Sequence, residues 1–141
     1  MSQRVFSQQE ISALFESATA ARENAHAPYS RCLVGAAVRS VSGKIFAGCN
    51  VENASYGATL CAERVAIGAA VCAEGTPRIV AVMVVTDADE PWPPCGLCRQ
   101  VIAEFADDCV VFCANLRGEM NSTPFAKLFP AAFTPDHLGH R

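Results

Sequence analysis

Positive charge is in short supply. The 141 residues carry 11 Lys and Arg against 14 Asp and Glu, a formal net charge of −3, and show no basic stripe with interleaved aromatics. Nucleic-acid partners are excluded on that ground, because neutralising phosphates requires clustered Lys and Arg. Long apolar runs are missing as well. No segment approaches the roughly 18 uncharged apolar residues of a membrane span, and the first ten residues lack an apolar run behind a basic start. A cytoplasmic protein with no membrane partner is expected. With 51% hydrophobic and 18% charged residues, the chain has the balance of one compact domain over 1–141, and its ligand should be small and roughly neutral.

Cysteine, by contrast, is abundant: there are eight. A disulfide framework suits short secreted chains poor in core-forming residues, and this one has ample Val, Ile, Leu and Phe. Metal ligation plus buried free thiols in a reducing compartment is the better account.

Ser7-Gln8-Gln9-Glu10 is a capping box ahead of Ile11, Leu14, Phe15 and Ala18 at helical spacing, so a helix is expected over 8–24. Pro28 stops it. Residues 33–39 and 45–49 read as a hairpin about the turn Val41-Ser42-Gly43-Lys44. A polar loop follows at 49–57, in a position that commonly carries ligand contacts. Residues 60–74 turn to Ala, Val, Ile and Cys with a stop at Gly75, which describes a largely buried helix. The β-branched run 79–85 reads as a strand covered on both faces. A proline-rich loop, Glu90-Pro91-Trp92-Pro93-Pro94, leads into a helix over 95–105; a strand at 109–114, a turn at 115–119 and a short helix at 125–129 complete the chain. Helices interleaved with strands indicate a three-layer α/β domain.

The chemistry gathers at Cys61-Ala62-Glu63-Arg64 and Pro94-Cys95-Gly96-Leu97-Cys98. Cys95 and Cys98, three apart at a helix start, share a face, and Cys61 at the start of another helix can supply a third thiolate. Three protein ligands leave one tetrahedral position of zinc for water, which is the catalytic arrangement. A closed structural site would need a fourth ligand, with His26, His137, His140 and the other cysteines as candidates, and a redox Cys-x-x-Cys would leave Cys61 and Glu63 without a purpose. Glu63 is too close to Cys61 for a comfortable second ligand but can reach a zinc-bound water and act as base and then acid; otherwise it is a solvated first-turn carboxylate. Three thiolates on a divalent ion sum to −1, so a neighbouring cation should draw charge off the sulfurs. Arg64 is the candidate, a surface salt bridge being its other reading.

Together with Val34-Gly35-Ala36-Ala37, the loop Gly48-Cys49-Asn50-Val51-Glu52-Asn53-Ala54-Ser55-Tyr56-Gly57, Arg99-Gln100 and Leu128-Phe129-Pro130-Ala131-Ala132-Phe133, these motifs resemble the small homotetrameric zinc-dependent cytidine deaminases over most of the chain. The resemblance implies a three-layer α/β/α fold with a central mixed five-stranded sheet and one Zn2+ per subunit. It implies hydrolytic deamination of cytidine and 2′-deoxycytidine, with Glu63 moving protons and Cys61, Cys95 and Cys98 holding the metal. By the same resemblance Asn50 and Glu52 hold the ribose 3′-hydroxyl, backbone groups of Ala62 hold the base edge, and Phe133 enters a neighbouring subunit's site, so that active sites are shared. The family usually has a phenylalanine where this chain has Cys32, on the wall against the pyrimidine. Cys32 therefore widens the pocket or is a passive small hydrophobe, the role also expected of Cys49, Cys72, Cys109 and Cys113. Two alternatives stay open: a deaminase of another aminated nucleoside or heterocycle, of the blasticidin S type, and a non-catalytic zinc-stabilised binding module, which would have no need of Glu63.

Overall fold

The computed structural model describes residues 4–140. Helix α1 (Gln8–Arg22) starts at the expected capping box, with Glu10 N–H donating to Ser7 Oγ and Ser7 N–H to Glu10 Oε1. Strands β1 (Gly35–Ser40) and β2 (Ile45–Cys49) form the hairpin, α2 (Ala62–Glu74) ends at Gly75, and β3 (Ile79–Thr86) is buried throughout. Helix α3 (Gly96–Phe105) runs directly into β4 (Ala106–Asn115); β5 (Met120–Pro124) and the short α4 (Phe125–Leu128) follow. Two 3₁₀ turns, Tyr56–Ala58 and Pro135–Leu138, lie in stretches with no helical periodicity.

The sheet order is β2-β1-β3-β4-β5, with β3 and β4 parallel and every other pair antiparallel. It is the mixed five-stranded sheet that the family resemblance implied. Four strands were legible from their own residues. The fifth, Met-Asn-Ser-Thr-Pro, is polar and largely exposed, and it is a strand because its backbone pairs with the edge of β4.

Side-chain alternation splits the core into two layers, as a period of two requires. Ala36, Val38, Val82, Val84, Val111 and Cys113 face α2, α3 and α4. Ala37, Ala81, Met83, Val85, Val110 and Phe112 face α1, where Phe6 meets Phe112 edge to face. Three layers result. Cys109 and Cys113 are buried in this core and Cys49 is half-buried, but Cys72 is exposed on α2, so the passive buried role expected of it does not apply. All eight cysteines are free thiols. None of the described helices is long and apolar enough to cross a membrane.

Helix α2 is set against the sheet by backbone contact. A Cβ on Gly48 would lie 2.5 Å from Ala66 N and 2.6 Å from Ala62 O, both main-chain atoms of α2. Gly48→Ala is therefore expected to displace the helix start and cost about 1–3 kcal/mol in denaturant unfolding. Gly68→Ala is the contrast. Nothing lies within 4 Å of a Cβ there, and the exposed helical position should be neutral or gain up to about 1 kcal/mol. Equal effects from the two substitutions would refute the close-contact explanation.

Candidate functional site

Cys61 and Cys95 occupy the N-cap positions of α2 and α3, and neither side chain makes a capping hydrogen bond. Cys98 follows in the first turn of α3, fully buried. The two helices lie on one face of the sheet, so their starts converge, and the Sγ atoms of Cys61, Cys95 and Cys98 all lie within 4.8 Å of one another. Tetrahedral zinc with Zn–S bonds of about 2.3 Å separates its sulfurs by about 3.8 Å. Cys61 and Cys95 Sγ are 3.8 Å apart, the separation of two zinc-bound thiolates, and Cys98 Sγ lies within 4.8 Å of both. Among the described residues no histidine joins it, which leaves His26, His137 and His140 outside the set that a closed site would need.

Hydrogen bonding within the cluster favours a thiolate at Cys61. Its pKa is pushed down to about 5, first by the bond from Cys98 and then by Arg64 and Cys95, while Cys98 is pushed up by that same bond, by burial and by Glu63. Arg64 Nη2 donates to Cys61 Sγ at 3.6 Å and to Thr59 O at 3.2 Å, so its guanidinium is aimed at the sulfur rather than into solvent. The thiols outside the cluster behave otherwise: burial raises Cys109 to about 12 and Cys113 to about 11, which keeps them protonated and unreactive.

Glu63, two residues into α2, is 4% exposed, and its Oε2 accepts from Cys98 Sγ at 3.5 Å. Burial holds this carboxyl above the ordinary carboxylate range, opposed by its own backbone N–H and reinforced by the nearby Cys61. It is thus no solvated first-turn glutamate. A carboxyl whose ionised form is disfavoured beside a thiolate cluster is a stronger base than an exposed carboxylate and can hold a proton that it must later pass on.

The cluster forms one end of a cavity of about 320 Å³ lined by Glu63, Ala62 and Cys95, and farther along by Ser30, Cys32, Asn50 and Glu52. Four expected substrate contacts therefore share one cavity. The side chains of Asn50 and Glu52 are already engaged, however. Asn50 Oδ1 accepts from Val34 N–H at 2.9 Å and its Nδ2 donates to Cys32 O at 2.8 Å. Glu52 Oε1 accepts from Tyr29 and Ser30 N–H, both at 3.0 Å, and Oε2 accepts from the Ser30 hydroxyl. Both residues brace the 29–34 segment along one rim of the cavity. Ala62 begins α2, where the first amides have no intrahelical partner and remain available to a ligand. Phe133 stands apart: it is 55% exposed, stacked on His137 at 5.2 Å, and absent from this cavity's lining.

Sequence reasoning gave no site role to Thr59, Leu60, Val84, Trp92 or Pro93, all of which line the cavity. Trp92 and Pro93 carried no signal beyond their closeness in sequence to Cys95. Val84 offers no such signal, its side chain being indistinguishable in sequence from the rest of a buried strand.

Comparison with known proteins places this geometry in context. Residues 8–114, which include all three cysteines of the cluster and Glu63, match the model of the cytidine and deoxycytidylate deaminase zinc-binding region. A cytidine deaminase of Halalkalibacterium halodurans is 46% identical over 126 residues, covering 89% of this chain and 95% of the relative. A cytidine deaminase crystal structure from Burkholderia pseudomallei superposes with a TM-score of 0.82 at 44% identity, covering 91% of this chain and all of that one. A more distant relative, a blasticidin-S deaminase of Bacillus cereus, is 34% identical over 108 residues, or 72% of this chain and 76% of its own. On sequence, fold and thiolate cluster together, the chain belongs to the cytidine and deoxycytidylate deaminase family.

Proposed function

We propose that this chain is a single-domain, zinc-dependent cytidine deaminase that converts cytidine and 2′-deoxycytidine to the uridines with release of ammonia. The observation that carries this reading is the buried Glu63 carboxyl set against a three-cysteine cluster at the end of a nucleoside-sized cavity. Zinc held by Cys61, Cys95 and Cys98 would supply Lewis acidity that brings a water towards ionisation at neutral pH.

The remaining work belongs to the protein. Glu63 takes one proton from the attacking water and passes it to ring N3, then takes the second from the hydroxyl now on C4 and gives it to the amine as its bond to C4 breaks; water and cytidine become uridine and ammonia. Burial suits it to the first half of the task, because a carboxylate held above its usual range takes up a proton more readily than an exposed one. Arg64 offsets the negative charge at Cys61. Backbone groups at Ala62 meet the base edge, while Asn50 and Glu52 meet the ribose, the loop they brace being the surface on which the sugar lies. The exposure of Phe133, together with that of Leu97 and Leu138, supports a homotetramer in which Phe133 completes a neighbour's site. Eight free thiols suit a cytoplasmic location.

A second reading has a specific observation behind it. Cys32 opens on a further cavity of about 270 Å³, so a larger aminated heterocycle has room to enter, and the family includes a blasticidin-S deaminase. Turnover of cytidine, deoxycytidine, 5-substituted cytidines and blasticidin S, followed by absorbance and ammonia release, separates these. Cytidine and deoxycytidine are expected to have the highest kcat/KM. Preference for blasticidin S would move the substrate, and no ammonia from any of them would return the chain to the binding-module reading.

A further inference from the structure

We infer that Trp92 is the wall against which the pyrimidine ring lies, and so is the residue that sets how tightly this site holds a nucleoside base. The inference rests on the nucleoside reading above and names a residue within that site. Trp92 is the one aromatic side chain in the cavity's lining. Its neighbours in sequence, Pro93 and Cys95, line the cavity too, and Cys95 belongs to the thiolate cluster, so the indole is tethered three residues from a group at the end where the reacting ring must be.

A second cavity, lined by Arg22, Arg31, Thr86 and Asp87, abuts the first, and the residues common to both linings are Cys32 and Trp92. These two side chains are the partition between the cavities. Cys32 has a single sulfur beyond Cβ and cannot present a flat face; it is exposed, with its Sγ near Ser30 O. The planar surface of the partition is therefore the indole.

The loop that carries Trp92 is held at both ends. Asn115, buried at the end of β4, donates from Nδ2 to Ala88 O and Asp89 O, each at 3.1 Å. Arg117 pairs with Asp89. On the far side Arg99 Nε donates to Pro94 O at 2.8 Å and Nη1 to Leu128 O at 2.9 Å. Pro91, Pro93 and Pro94 restrict φ between these anchors. The backbone that carries this 44% exposed ring is fastened before any ligand arrives, which lowers the ordering cost that stacking must offset.

Trp92 is also the chain's sole tryptophan, so its emission can be read without mutation. The test titrates the zinc-loaded enzyme with uridine, the product, exciting at the red edge of indole absorption, alongside steady-state kinetics on cytidine. Saturable change in emission, with a midpoint equal to the uridine inhibition constant, is expected. Trp92→Val should raise KM for cytidine by about 3- to 10-fold with little change in kcat, Trp92→Phe should retain most of the affinity, and Cys32→Phe added to Trp92→Val should recover part of the loss. An active enzyme whose emission ignores saturating uridine, or follows protein concentration instead, overturns the inference while leaving the deaminase reading intact. So does a Trp92→Val enzyme with unchanged KM. A wild-type protein that deaminates no nucleoside overturns both together.

Discussion

Glu63→Gln is expected to lower kcat for cytidine by about 100- to 10,000-fold, the range that a positioned proton-transfer group contributes. The substitution is nearly isosteric, so the packing of a residue that is 4% exposed should survive it. The amide oxygen still faces the cluster as Oε2 does. What it lacks is a proton to exchange. Zinc content, measured by emission spectrometry, and the uridine-binding midpoint should therefore stay near wild type while turnover collapses. A loss of less than about tenfold in a zinc-loaded, folded variant would assign the proton transfers to another group.

Cys98→Ser should go further and remove the metal together with the activity. Cys98 is the fully buried member of the cluster, and a serine hydroxyl in its place offers zinc a hard, protonated oxygen instead of a thiolate. Bound zinc is expected to fall from one per chain to a small fraction, and cytidine turnover to fall below detection. An ion at about a hundred times its dissociation constant stabilises the folded state by about 2.7 kcal/mol. Losing it should lower the melting midpoint by about 10 °C, and added zinc should no longer raise that midpoint. Cys109→Ala gives the comparison, because that thiol is also buried but lies in the sheet core and is not a member of the cluster. It should melt earlier for packing reasons yet keep its zinc. If both variants lost zinc alike, the cluster would not be the binding site.

The parts of this fold legible in sequence were those in which a local rule and the tertiary structure ask for the same residues. Ser7 and Glu10 form the capping bonds their spacing implies, and the β-branched run of β3 is buried on both faces. The cluster was legible for a similar reason. A metal tolerates few ligand types at few spacings, and both helix starts carry them. Trp92 was not, since lining a cavity depends on how the 88–94 loop is tied to Asn115 and Arg99, partners whose proximity follows from the β3-to-β4 crossover and not from neighbouring residues. Asn50 and Glu52 were singled out in sequence, but their bonds to the 29–34 backbone were not, because an amide and a carboxylate look the same in sequence whether they await a ligand or hold a loop. Phe133 lay beyond the region matched by the family model, and its exposure is a property of the folded surface.

Strand β5 hid from sequence reading because Asn121, Ser122 and Thr123 are polar and Pro124 closes it. The same composition has a use. As the outermost strand beyond β4, it presents main-chain groups with no strand on their far side, the kind of border onto which a foreign strand can add. Exposed polar side chains give an incoming strand no apolar face to cover, and the proline denies it a hydrogen-bond donor. Redesigning Asn121 and Thr123 as isoleucine or valine, to give β5 a conventional strand sequence, would therefore turn that border into a template for aggregation. The strand least recognisable in the sequence is the one that keeps the sheet from growing past its β4 side.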